Sequence, residues 1–142
     1  MPYFDDIHIA VHKAFGQARP EVARICDEIA DYLSAGPAAS KFHLTLSLLR
    51  RETRPLTDSD LLMAIQYLTG GDNQLLETQF EYAADTGEFF PLTRAQVAQG
   101  ADAVAAYLGV SFTSAEDFES QVMIYFVPSR FAQDAMREME TA

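Results

Sequence analysis

Two histidines near the amino terminus have the spacing of a metal-binding pair. His8 and His12 lie four residues apart, so a helix would place both rings on one face, with Asp5 as a third ligand. The same face carries the apolar residues Phe4 and Val11, and His8 lies among them. The sequence has no His-Glu-x-x-His motif, and no further histidine or cysteine has ligand spacing nearby. We therefore interpret the two histidines as structural and predict no metal site.

Cys26 is the one cysteine of the chain, and it could serve as a nucleophile with His43 as its base. It lies between Ile25 and Ile29 on an apolar helical stripe, which is typical of a small buried thiol. A single cysteine forms no internal disulfide, so the sequence gives no sign of an oxidising compartment. We predict a structural thiol and no catalytic residue.

Other signatures of catalysis are missing from the sequence. Glu116, Asp117 and Glu119 are close together, but acidic residues meet by chance in a chain with a formal charge of −11. There is no glycine-rich phosphate loop, no Gly-x-Ser-x-Gly and no Cys-x-x-Cys. The sequence therefore predicts a protein that is not an enzyme and needs no cofactor.

The negative charge is concentrated in the second part of the chain. Residues 1–54 hold seven basic and seven acidic side chains, whereas residues 55–142 hold three basic and fourteen acidic ones. Such a surface repels nucleic acid and anionic membrane, and it suits a basic protein partner.

The densest acidic segment is residues 72–88, which hold five acidic residues and no basic one. We select Glu77, Glu81 and Glu88 from this segment as candidate interaction residues. Three roles fit them: contact with a basic protein, imitation of a polyanion at the DNA site of a basic protein, or solubility of an exposed hairpin.

A small basic cluster interrupts the acidic trend, formed by Lys41, Arg50, Arg51 and Arg54. Cations at the end of a helix interact favourably with its dipole, so a solvated helix end is the plain interpretation. The functional interpretation is contact with an anion or an acidic partner, including a second copy of this acidic chain.

Two adjacent aromatic residues, Phe89 and Phe90, fall in a segment with strand character. Neighbouring side chains in a strand point to opposite faces, so only one of the two can enter the core. The other needs a cover, from Tyr82 and Tyr125, from the last helix or from a partner. We predict cover by the last helix and keep both phenylalanines as candidate interaction residues.

Hydrophobic periodicity, capping residues and glycine or proline stops predict a mostly helical chain with a few strands. Residues 40–51 fit both a strand and a helix capped by Ser40, and we favour the helix. Alternating residues on both sides of a turn at residues 85–87 predict a β-hairpin. The predicted helices cover residues 5–15, 20–35, 40–51, 57–69, 93–109 and 129–139, and the predicted strands cover residues 75–82, 88–92 and 122–127.

The same patterns predict which side chains are buried. The run 122–127 is apolar without alternation, which favours a strand covered on both faces. Helix 57–69 is expected to bury Leu62 within its apolar stripe, and the last helix is expected to bury Phe131 and Met139.

In its order of elements, the segment 20–92 is similar to a winged-helix domain. The resemblance implies that helix 57–69 stands where such domains have their DNA-reading helix, and that the hairpin 75–92 stands for the wing. This helix has no basic residue and offers only Gln66 to read bases, and the hairpin is acidic. Winged helices without basic faces commonly serve as protein-interaction modules, which is what the resemblance implies here.

We predict one α+β domain over residues 1–142, mostly helical, with a winged-helix-like core and a helix-strand-helix extension over residues 93–142. Its expected function is that of a non-catalytic, acidic protein-protein interaction module or accessory subunit. The expected partner is a basic protein or a second copy of the chain, which would make the protein a homo-oligomer.

Two other functions fit parts of the pattern. One is a winged-helix DNA-binding transcriptional regulator that contacts DNA through Arg50, Arg51 and Arg54, although the charge makes nucleic acid an unlikely partner. The other is an acidic DNA-mimic inhibitor. No segment approaches the roughly 18 apolar residues of a membrane span, and the acidic amino terminus is unlike a signal peptide, so we expect no membrane association and a cytoplasmic location.

Overall fold

The computed structural model describes residues 2–35, 41–70, 74–84, 86–100 and 121–141. Within these ranges the chain forms six helices and three strands, an α+β fold that is mostly helical, and this confirms the predicted fold class. In chain order the elements are α1 (Pro2–Phe15), α2 (Pro20–Ser34), α3 (Leu46–Thr53), α4 (Asp58–Thr69), β1 (Leu76–Ala83), β2 (Phe89–Leu92), α5 (Arg94–Gln99), β3 (Val122–Pro128) and α6 (Arg130–Thr141).

The chain divides into two compact units. The first, which we call the helical unit, comprises Met1–Glu77 and Phe126–Ala142. The second, the hairpin unit, comprises Thr78–Tyr125. The interpretation of the whole chain as one domain stays a prediction.

Helix α2 is the element on which the helical unit is built, because it packs against α1, α3, α4 and α6. It begins at Pro20, where the missing amide hydrogen of proline costs nothing. Apolar residues recur every three or four positions, so one face is buried, and each large aliphatic side chain contributes roughly 1.5–3 kcal/mol. The buried residues of α2 are Val22, Ala23, Ile25, Cys26, Ile29, Ala30 and Leu33.

The ambiguous segment before α3 contains both a strand-like contact and a helix. Leu44 forms an antiparallel bridge with Phe126, with N–O distances of 2.8 and 2.7 Å. The helix begins only at Leu46, because the Thr45 side chain accepts a hydrogen bond from the Leu48 amide and caps it. The prediction of a helix is therefore confirmed in part, but Thr45 is its cap, and the predicted cap Ser40 lies outside the described residues.

The hairpin unit is organised by antiparallel pairing of β1 with β2. Phe80 faces Leu92 and Tyr82 faces Phe90 across the two strands, and the sheet has the order β2-β1-β3. Gly87 has φ +90° in the turn, a conformation that glycine adopts without strain. The predicted hairpin is confirmed.

Two predictions about the later elements are wrong. Helix α5 ends at Gln99 because Gly100, with φ +93° and ψ −170°, leaves the helical conformation for one that glycine adopts without strain. The predicted continuation to residue 109 falls in residues 101–120, outside the described residues. Strand β3 is not covered on both faces, because Met123 and Ile124 are both exposed.

Three side chains that we predicted to be buried are exposed: Leu62 on α4, and Phe131 and Met139 on α6. On α6 the wholly buried residue is Ala132, whose small side chain lets helices approach closely. The buried face of α6 therefore contains Ala132 and excludes Phe131. Ser129 accepts a hydrogen bond from the Ala132 amide at 3.2 Å and caps this helix.

Candidate interaction surface

The two histidines of α1 bind carboxylates of α2. His8 Nδ1 lies 2.6 Å from Asp27 Oδ1, and His8 Nε2 lies 3.2 Å from Asp31 Oδ1. His12 Nε2 lies 2.5 Å from the other oxygen of Asp27. Both nitrogens of His8 face carboxylates, so both hydrogen bonds form only when the ring is doubly protonated. Burial lowers the pKa of His8, but the hydrogen bond and charge of Asp27 and the charge of Asp31 outweigh it and raise that pKa.

The partners of the histidines differ from the expected one. We considered Asp5 as a third ligand, whereas the structure brings Asp27 and Asp31 to the rings. The missed signal is spacing, because these two aspartates are also four residues apart and share one face of α2. Within the described ranges, no group of three or more histidine, cysteine or acidic residues is arranged to hold a metal ion.

Cys26 is part of the core of the helical unit. It is wholly buried, and its Sγ lies 3.9 Å from the carbonyl oxygen of Ala64. Burial, with a smaller contribution from the charge of Asp27, raises the pKa of Cys26 to about 12. A thiol in this environment stays protonated at neutral pH and makes a poor nucleophile.

The four residues of the basic cluster do not form one patch. Lys41 is buried, with Nζ 3.5 Å from the centroid of the Tyr32 ring, a cation–π contact. Arg50 donates to Asp58 at 3.1 Å, and Arg51 donates to its neighbour Glu52 at 3.4 Å. Arg54 ends α3 in the left-handed conformation, with φ 45° and ψ 61°.

The loop after α3 is fixed by side chains of α2. Arg24 donates to the carbonyl oxygens of Thr53 at 2.8 Å and Arg54 at 3.1 Å. Glu21 binds Arg24 through both carboxylate oxygens and also accepts a hydrogen bond from the Leu56 amide at 2.9 Å. These hydrogen bonds lower the pKa of Glu21 to about 2, so it is charged at neutral pH. The side chain of Leu56 is nevertheless 82% exposed.

We call Arg51, Arg54 and Leu56 the loop patch. All three are exposed, and they lie within six residues of the sequence at the end of α3. The patch combines two cations with one apolar side chain on a backbone held by hydrogen bonds. The sequence analysis identified the arginines and missed Leu56, because the hydrogen bonds by which Arg24 and Glu21 hold this loop are visible only in the structure.

One side of the sheet in the hairpin unit, which we call the inner side, carries an apolar cluster around Tyr82 and Leu92. The Tyr82 and Phe90 rings are stacked, with centroids 6.5 Å apart, and Leu92 and Val122 pack with them. Phe89 points the other way and is 58% exposed. The prediction that only one phenylalanine enters the core is confirmed. The prediction that the last helix covers the other is wrong, because Phe89 stays exposed.

The opposite side of the sheet presents apolar and acidic side chains together. In the pairing of β1 with β2, Glu81 faces Pro91 and Ala83 faces Phe89, so these side chains share the side opposite Tyr82. Val122 packs inward, so alternation places Met123, which is 43% exposed, and Tyr125 outward. We call this surface the outer sheet face; it comprises Glu81, Ala83, Phe89, Pro91, Met123 and Tyr125.

Tyr125 lies close enough to Glu81 for the two to influence each other electrostatically. Burial raises the pKa of Tyr125, and the negative charge of Glu81 raises it further. The outer sheet face therefore carries a carboxylate beside an aromatic hydroxyl, flanked by exposed apolar groups.

The three glutamates selected from the sequence do not share one surface. Glu77 and Glu81 lie on the same side of β1 by alternation. Glu88 is two residues before Phe90, so by alternation it lies on the same side as Phe90 and opposite to Glu81. Its carboxylate accepts a hydrogen bond from the Thr86 hydroxyl at 3.3 Å. A single row of carboxylates, as a DNA mimic requires, is not formed by these three residues.

Pro91 lies in β2, the strand at one end of the described sheet. The Ala84 amide donates to the Glu88 carbonyl at 2.8 Å, so Ala84 and Glu88 form a hydrogen-bonded pair. Hydrogen-bonded and non-hydrogen-bonded pairs alternate along two antiparallel strands, so Glu81 and Pro91 form a non-hydrogen-bonded pair. The backbone groups of Pro91 therefore point away from β1, and proline has no amide hydrogen to offer there. An added strand would lose a hydrogen bond at this position, which favours docking on the face of the sheet.

Comparisons with protein-family models, curated proteins and solved structures give no match. Among the described residues, no helix has both the length and the apolar composition that crossing a membrane requires. A function for this chain has to be argued from its own side chains.

Proposed function

We propose that this chain is a non-catalytic protein-interaction module that binds its partner through the outer sheet face. The exposure of Phe89, at 58%, carries this proposal, because its neighbour Phe90 is used to build the core. Aromatic residues and methionine are enriched at protein interfaces, and Met123 is exposed on the same face. An aromatic ring on a paired strand is already oriented, so little entropy is lost when a partner covers it.

The charge of the hairpin unit supports a partner with basic and apolar groups. Between residues 78 and 125 the sequence holds seven acidic residues and one basic residue, Arg94. The guanidinium of Arg94 lies over the Phe80 ring, 5.5 Å from its centroid, and Phe80 packs with the inner core. Glu81 is the charged residue of the outer sheet face. A partner that offers cations around an apolar pocket complements this surface.

The chemistry of the helical unit supports a non-catalytic role. The raised pKa of Cys26 argues against a thiolate nucleophile. Ion pairs of Arg50 with Asp58 and of Arg51 with Glu52 reduce the charge that DNA phosphates would meet. We keep the winged-helix-like module as the form of this proposal and the cytoplasm as its compartment, since the single cysteine forms no internal disulfide.

Affinity purification from host extract tests this proposal with three tagged chains. The wild type is compared with the double variant Phe89→Ser, Met123→Ser and with Ile9→Ser, which changes an exposed residue of α1. We expect the double variant to lose the specifically bound protein and Ile9→Ser to retain it. Recovery of the same protein in equal amounts by all three chains would contradict the proposal. Circular dichroism checks that each variant is folded.

A further inference from the structure

We draw no further inference here: the strongest candidate, the loop patch between α3 and α4, carries nothing, because its Arg51 is ion-paired with Glu52 and nothing in the described part of the chain shows what covers its exposed Leu56.

Discussion

Nδ1 of His8 on α1 lies 2.6 Å from Oδ1 of Asp27 on α2, while Nε2 of the same ring lies 3.2 Å from Asp31. One imidazole therefore joins two helices through both of its nitrogens. The pKa of His8 is raised above its ordinary value of 6.5, so the folded chain holds this proton more tightly than the unfolded chain does.

His8 should make the stability of the protein depend on pH in a defined direction. Its contribution is fully present below about pH 6.5 and is lost as the pH rises through the raised pKa. We expect His8→Gln to lower the free energy of unfolding by about 1 kcal/mol at pH 5.5 and by less at pH 8.5. Urea unfolding of both chains at several pH values measures the difference. A difference that does not change with pH would show that the proton plays no part.

Glu21 should contribute with the opposite pH dependence. Hydrogen bonds from Arg24 and from the Leu56 amide lower its pKa from 4.5 to about 2. The contribution of its charge to stability is present above about pH 4.5 and is lost as the pH falls towards 2. At neutral pH we expect Glu21→Gln to speed hydrogen exchange at the Leu56 amide. Unchanged exchange there would mean that the carboxylate does not hold the loop.

Arg54 occupies a backbone conformation that glycine adopts more easily. Its φ of 45° and ψ of 61° lie in the left-handed region. We expect Arg54→Gly to raise the free energy of unfolding by roughly 0.5–1 kcal/mol, because glycine takes this conformation without strain. Arg51→Gly removes a cation from within α3 and should instead destabilise the chain by about 1 kcal/mol. Chemical denaturation of both variants gives the comparison, and the same sign of change for both would refute this account of Arg54.

Cys26 should be unreactive until the chain unfolds. Its burial and its pKa of about 12 predict no labelling by a thiol reagent at pH 7.5 in the native state, and complete labelling in urea. We expect Cys26→Ser to lower the free energy of unfolding by roughly 1–3 kcal/mol, because a hydroxyl replaces a thiol in an apolar site. Rapid native labelling would contradict the buried placement.

Local patterns in the sequence were sufficient for much of the fold. Pro20, the Thr57 cap and the alternation around Phe89 and Phe90 each act within a few residues, so helices and hairpin followed from them. The bridge from Leu44 to Phe126 depends on residues far apart in the chain, and no local pattern contains it.

The candidate surfaces were only partly predictable, because they also depend on contacts between residues that are far apart in the sequence or on different elements. Strand alternation showed that Phe89 or Phe90 would face outward, but not which one, because that depends on the stacking partner Tyr82. Phe131 was expected inside because it continues the apolar periodicity of Ala135 and Met136, whereas in the structure Ala132 takes the buried position. The loop that carries the exposed Leu56 is held by hydrogen bonds with Glu21 and Arg24 of α2.

Photo-cross-linking at position 89 tests most directly whether the outer sheet face is a binding surface. A photoreactive phenylalanine derivative replaces Phe89 in chains expressed in host cells, and the same derivative at exposed position 9 serves as the control. We predict discrete covalent adducts at position 89 and not at position 9, with lower yield when Met123→Ser is added. No adduct at position 89, or the same adducts at both positions, would contradict the account.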